Sequence, residues 1–136
     1  MLVTTKGRYA LSMMLNIASY GTDRKIALRQ VAEEEKISLK YLEQLAHSMV
    51  EAGLLTSARG HGGGYALARP ASEIKIGDVL RTAEDGIVPV ACVGLDGDCS
   101  KKDMSPTLKF WTGLNKVIED YIDKPTLADL VTPRAR

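Results

Sequence analysis

Apolar residues recur at helical spacing through most of the chain and change period once, between residues 54 and 68. Leu11, Met14, Leu15 and Ala18 lie three or four apart, which predicts one buried face of a helix from about Thr5 to Tyr20. Gly21 is placed to cap that helix at its C-terminus. Leu28, Val31 and Ala32 predict a shorter helix over Leu28 to Glu35. Lys36-Ile-Ser38 then makes a tight turn. Ser38 is a good N-cap for a third helix reaching about Ala52, with Leu42, Leu45, Met49 and Val50 inward and Gly53 as its stop.

The residues after Gly53 read differently. Leu54–Ala58 and Tyr65–Ala68 are short candidate strands on either side of Arg59-Gly-His-Gly-Gly-Gly64. Three helices followed by a glycine-tipped hairpin predict a winged helix-turn-helix, with the short turn setting the second and third helices at a steep angle. Beyond Pro70, the residues Ile74, Ile76, Val79, Leu80 and Ala83 predict a fourth helix to Glu84. Residues 85–104 lose periodicity and read as a loop that is mobile or orders on binding. A long helix should then run from about Pro106 to Asp123, with Pro106 in its first turn. Its stripe of Trp111, Leu114, Ile118 and Tyr121 or Ile122 has nearly heptad spacing. So small a chain leaves such a stripe little of its own core to cover, so Trp111, Leu114, Ile118 and Tyr121 are the expected contacts of a homodimer. Thr126 caps a short last helix ending near Val131. The expected fold is mainly α with a small β-wing. Residues 1–70 form a winged-helix DNA-binding domain, and residues 71–136 hold a cysteine loop and a long C-terminal dimerisation helix.

Composition agrees with a helical core: of 136 residues only 5% are aromatic, and aliphatic side chains supply most of the apolar set. Lys6 and Arg8 precede the apolar stretch Ala10–Ala18, an arrangement a signal peptide also shows. Asn16 interrupts that stretch and its apolar residues fall at helical spacing, so a cytoplasmic chain is expected. No apolar run approaches the roughly 18 residues that span a bilayer, and no membrane partner is expected. Net charge is +1, but residues 1–70 carry nine Lys or Arg against six acids, and the remainder nine against eleven. A mildly basic front half suits a domain that meets double-stranded DNA, although an excess this small also arises by chance.

The predicted third helix opens Ser38-Leu-Lys-Tyr-Leu-Glu-Gln44. Recognition helices put their N-terminal residues against base edges in the major groove. Here Ser38, Lys40, Tyr41, Glu43 and Gln44 alternate with Leu39, Leu42 and Leu45 as anchors. Gln can pair bidentately with adenine, and Glu can accept from cytosine N4. The same pattern also suits an ordinary amphipathic helix with one solvated face. The hairpin tips the balance. Gly62, Gly63 and Gly64 cost backbone entropy that a plain hairpin would avoid, and they let a backbone approach phosphate closely. Arg59 and His61 flank them. A nucleotide-binding phosphate loop is excluded, because no Gly-Lys-Ser/Thr follows. No nucleophile–base pair, paired carboxylates or nucleotide fingerprint marks an enzyme.

Taken together, Thr5-Lys-Gly-Arg-Tyr-Ala10, Ser38–Leu45, Gly53-Leu-Leu, Arg59–Tyr65, Ile76-Gly-Asp-Val79, Cys92 and Thr126–Leu130 resemble the iron–sulfur cluster regulators of the IscR-like type, winged-helix transcription regulators of the Rrf2 family. The resemblance runs nearly end to end. It implies a homodimer crossed at the long helix. It implies DNA contacts from Ser38, Lys40, Tyr41, Gln44 and Arg59, discrimination between site types by Glu43, and phosphate contacts from Thr5 and Lys6. It also implies a [2Fe–2S] cluster, held by three cysteines in the loop before the long helix and a further ligand nearby.

This chain departs from that pattern. Cys92 and Cys99 match the first two cysteines, but the third position holds Met104-Ser105-Pro106, with Ser105 isosteric with cysteine. The only histidines, His47 and His61, are far away in the sequence, and Arg8 stands where some relatives supply an acidic ligand. A cluster generally takes four ligands, mostly thiolates. Ser105, one of Asp96, Asp98 and Asp103, or an external thiol would have to complete the set. Three readings follow: a cluster sensor fixed in its apo form by Ser105, a relative that senses thiol oxidation or a small molecule, or cysteines that are ordinary loop residues. A zinc site is not indicated, since no closely spaced cysteine pair or histidine partner is present. Outside this family, the rival reading is a winged-helix module that binds protein.

Overall fold

In a computed structural model, the structure describes residues 3–59, 63–84 and 106–134. Their order is α1 (Thr5–Ala18), α2 (Leu28–Glu35), α3 (Leu39–Glu51), β1 (Leu55–Ala58), β2 (Gly64–Leu67), a 3-10 turn (Ala71–Glu73), α4 (Ile76–Ala83), α5 (Leu108–Ile122) and α6 (Leu127–Leu130). The strands pair antiparallel, Leu55 opposite Leu67 and Ala58 opposite Gly64. This is the mainly α fold with a small β-wing that the sequence predicts, long C-terminal helix included.

Local chemistry sets most boundaries. Thr4 caps α1 by accepting from the Lys6 N–H, and Ser38 caps α3 by accepting from the Tyr41 N–H at 3.2 Å. Thr126 and Asp129 form a reciprocal capping box on α6, with the Thr126 N–H donating to Asp129 at 2.8 Å. Lys36 ends α2 in the left-handed region at φ 58°, so the tight turn before α3 is made by a residue that carries a side chain. Three expectations shift slightly. Helix α1 stops at Ala18, two residues early, and Gly21 takes its positive φ just beyond. Pro106 precedes α5 instead of sitting in its first turn, because Thr107 is the N-cap. The strands begin at Leu55 and Gly64, one residue from the expected starts. The expected loop over residues 85–104 lies outside the described residues.

One hydrophobic cluster joins these elements. It takes Ala10, Met13, Met14 and Ile17 from α1, Val31 from α2, Leu42 and Met49 from α3, Leu54 and Leu55, then Ile74, Val79 and Leu127. Each of the larger side chains contributes roughly 1.5–3 kcal/mol by leaving water. On α1 the buried face is centred one residue from the expected one: Met13 and Ile17 are fully enclosed, while Leu11 and Leu15 are only half-buried.

The wing is tied to the body by a third segment. Ile26 bridges Tyr65, each N–H donating to the other's carbonyl at 2.8 Å. Gly64 makes this possible: at φ +150°, a Cβ there would lie 2.5 Å from the Ile26 carbonyl oxygen. At the other end, Arg81 of α4 grips Asp123, which follows α5, through two hydrogen bonds of 2.8 Å. The Arg81 guanidinium holds the Asp123 carboxyl below the usual carboxylate range.

The apolar residues of the long helix fall into two groups. None of its residues is fully buried. Ile118 and Ile122 pack against the monomer's own core. Trp111 and Leu114 are half-buried, Tyr121 is 73% exposed, and Phe110 and Val117 are each 64% exposed. The expected stripe is therefore divided. Ile118 belongs with the core, and the outer face adds Phe110 and Val117, which the heptad reading left out.

Candidate nucleic-acid interface

Two helix starts are brought together by one aromatic contact. Tyr9, on the second turn of α1, meets Tyr41, on the first turn of α3, edge to face, with ring centroids 5.5 Å apart at 78°. Both rings are half-buried, so the pair couples the second turn of α1 to the first turn of α3. Thr5 and Lys6 are exposed at the first of these starts; Ser38, Lys40, Glu43 and Gln44 are exposed at the second.

The burial pattern of α3 separates anchors from candidates for contact. Leu42, Leu45, Ala46 and Met49 are buried, and the opposite face offers Lys40 and Gln44 one turn apart. Two predicted contact residues have structural duties as well. The Ser38 oxygen accepts from the Tyr41 N–H and keeps its own proton free to donate. Tyr41 packs on Tyr9 and presents only part of its ring. Arg59 follows β1 and is exposed; Gly63 is half-buried ahead of β2. His61 and Gly62 lie outside the described residues, as do Cys92, Cys99 and Ser105. Among the described residues, no group of three or more His, Cys, Asp and Glu is gathered as a metal site would require.

Sequence reasoning missed two polar centres. Asn16, read as a break in an apolar run, is 4% exposed. Its amide donates to Glu34 at 3.0 Å and Glu35 at 2.7 Å, tying α1 to α2. Tyr20 donates to the same Glu34, and Arg134 reaches it at 3.1 Å while stacking on the Tyr20 ring at 4.3 Å. The Tyr20 hydroxyl, with help from Asn16, Gln30 and Arg134, holds the Glu34 carboxyl below its usual range. The second centre is Glu84, buried against the start of α1. Its nearest partners are about eighty residues away in sequence, so no local pattern could announce it.

Three helices with a two-stranded wing, and a polar third helix backed by a buried aliphatic face, define a winged helix-turn-helix protein. The chain belongs to the Rrf2 family, whose model, described as an iron-dependent transcriptional regulator, matches residues 3–133. It is 38% identical over 131 residues to the HTH-type transcriptional regulator IscR of Serratia proteamaculans, covering 96% of this chain and 79% of that one. Among solved structures it is similar to IscR from T. potens, at 35% identity and a TM-score of 0.76, covering 96% of this chain and 85% of that one. It is also similar to CymR, the global cysteine regulator of B. subtilis, at 32% identity and a TM-score of 0.76, with 96% and 95% covered. The chain is thus a DNA-binding transcriptional regulator of the Rrf2 type and not an enzyme, as the sequence suggests. No helix among the described residues is long and apolar enough to cross a membrane.

Proposed function

We propose that this chain is a homodimeric repressor that reads duplex DNA through its first seventy residues and works without a stable iron–sulfur cluster. The observation that carries the DNA half is the Tyr9–Tyr41 contact, which packs the N-terminal part of α1, where Lys6 is exposed, against the start of α3, where Lys40 and Gln44 are exposed. In this reading Gln44 and Lys40 meet base edges, and Glu43 discriminates between sites. Thr5, Lys6 and Ser38 meet phosphate or sugar, and the wing enters the minor groove with Arg59, His61 and the backbone of Gly62 and Gly63. The exposed row Phe110, Val117 and Tyr121, continued by Trp111 and Leu114, is the surface a second copy would cover.

The cluster half rests on donor chemistry. IscR-type relatives suggest a [2Fe–2S] group, yet this chain offers Cys92 and Cys99 as its only thiols. A serine hydroxyl ionises far less readily than a thiol and is a poor soft ligand for iron. Ser105 therefore does not replace a thiolate, and the donor set does not fit a stable cluster. The similarity to CymR favours a second reading, in which Cys92 and Cys99 sense thiol oxidation or a small sulfur compound.

Genome-wide recovery of bound DNA tests the first half: sharp, recurrent sites are expected, and salt-independent or absent binding to duplex DNA would leave a protein-binding module instead. Anaerobic reconstitution tests the second. The native chain should take up little iron and sulfide, whereas Ser105→Cys should gain both, with visible charge-transfer absorption. Equal loading of the two proteins would refute the apo assignment.

A further inference from the structure

Glu84 closes α4 and is 8% exposed, one of two buried polar or charged residues among those described. Its carboxylate crosses to the start of α1. There it accepts from the Thr4 N–H, from the Thr4 hydroxyl at 2.8 Å and from the Gly7 N–H at 3.1 Å. The two N–H groups are among those that the first turn of a helix leaves without partners, and an anion at that end is favoured by the helix dipole. Burial opposes ionisation of Glu84, but the hydrogen bonds from Thr4 and Gly7 outweigh it and hold its carboxyl below the usual range. The fit is close: a Cβ on residue 7 would lie 2.7 Å from Glu84 Oε2, so a side chain there would force the carboxylate to shift.

The contact continues toward the surface. The Thr4 oxygen that donates to Glu84 accepts from the Lys6 N–H at 3.2 Å. A hydrogen-bonded path therefore runs from the end of α4, through Thr4, to the backbone of Lys6, whose side chain is exposed. We propose that Glu84 is a positioning residue for DNA binding: its carboxylate fixes the first turn of α1 so that Thr5 and Lys6 present themselves to a backbone phosphate. This rests on the reading of Thr5 and Lys6 as phosphate contacts. Glu84 touches no DNA itself; its carboxylate is held by the donors of Thr4 and Gly7 and also attracts the Lys6 ammonium.

The test is the salt dependence of binding to a random-sequence duplex, which isolates phosphate contacts from base reading. Lys6→Ala should flatten the slope of log affinity against log salt by about one unit. Glu84→Ala should produce the same flattening with dimer state and helix content unchanged, and adding Lys6→Ala to it should cost little more. Glu84→Gln, which keeps an acceptor for Thr4 and Gly7, should retain most of the native slope. Gly7→Ala displaces the carboxylate while leaving Glu84 in place and should copy Glu84→Ala, which covers the case in which that variant folds poorly. A native slope in both Glu84→Ala and Gly7→Ala, or a full further unit lost on adding Lys6→Ala, would overturn the proposal. An unchanged slope in Lys6→Ala alone would overturn the phosphate reading of α1, and the role of Glu84 with it.

Discussion

Replacing Gly64 by alanine tests how the wing is held. Residue 64 has φ +150°, a backbone conformation that side chains disfavour, at a cost of about 1–3 kcal/mol. The new methyl would also lie 2.5 Å from the Ile26 carbonyl oxygen and 2.6 Å from its carbon, both backbone atoms that cannot turn away. The Ile26–Tyr65 bridge must open, with the loss of two hydrogen bonds worth about 0.5–1.5 kcal/mol each. Together these predict a destabilisation of roughly 2–6 kcal/mol. For a chain of this size that lowers the melting temperature by roughly 3–5 °C per kcal/mol. Urea unfolding of both proteins gives the free-energy difference directly. Helix α3 does not take part in the bridge, so base preference should survive while overall affinity and salt slope fall with the wing. A loss below about 0.5 kcal/mol, the size of an ordinary surface substitution, would refute the reasoning. It would mean that the bridge carries no weight or that the wing relaxes freely.

Four further outcomes follow from the same geometry. Gln44→Ala should weaken binding to the cognate site by about 1–3 kcal/mol and relax base preference at one position; an equal loss on random duplex would show that Gln44 does not read sequence. Arg59→Ala should flatten the salt slope by about one unit if the side chain meets a phosphate, and unchanged binding would remove the wing from the interface. Leu114→Asp or Val117→Asp should dissociate a micromolar dimer in sedimentation analysis, whereas Ile118→Asp should also unfold the monomer, since Ile118 packs on its core; a monomeric native chain would end the dimer reading. The carboxyls of Glu34, Glu84 and Asp123 titrate below their usual ranges when folded. Each therefore stabilises the fold above its unfolded value of about 4 and loses that contribution as pH falls through the lower folded value. Urea midpoints should drop through that acid window, and less steeply in Asp123→Asn; a midpoint flat below pH 4 would contradict these pairings.

Much of this molecule was legible in local pattern because local physics decides it. Ser38 and Thr126 cap helices through contacts three residues away, so short sequence windows contain both partners. Gly53 and the glycine cluster mark the change from helical to strand spacing for the same reason. The polar start of α3 could be read because Leu42, Leu45 and Met49 set which face is buried, and so which residues remain outside. Other features depend on partners distant in the chain. Periodicity placed Ile118 on an outward stripe. Docking α4 against the end of α5, with Arg81 holding Asp123, turned Ile118 and Ile122 inward and left Phe110 and Val117 exposed. Asn16 looked like a defect in an apolar run until α2 brought Glu34 and Glu35 to its amide. Glu84 gave no sign at all, because a buried carboxylate gains its meaning only from the donors that surround it, and Thr4 and Gly7 reach it through the packing of α1 on α4.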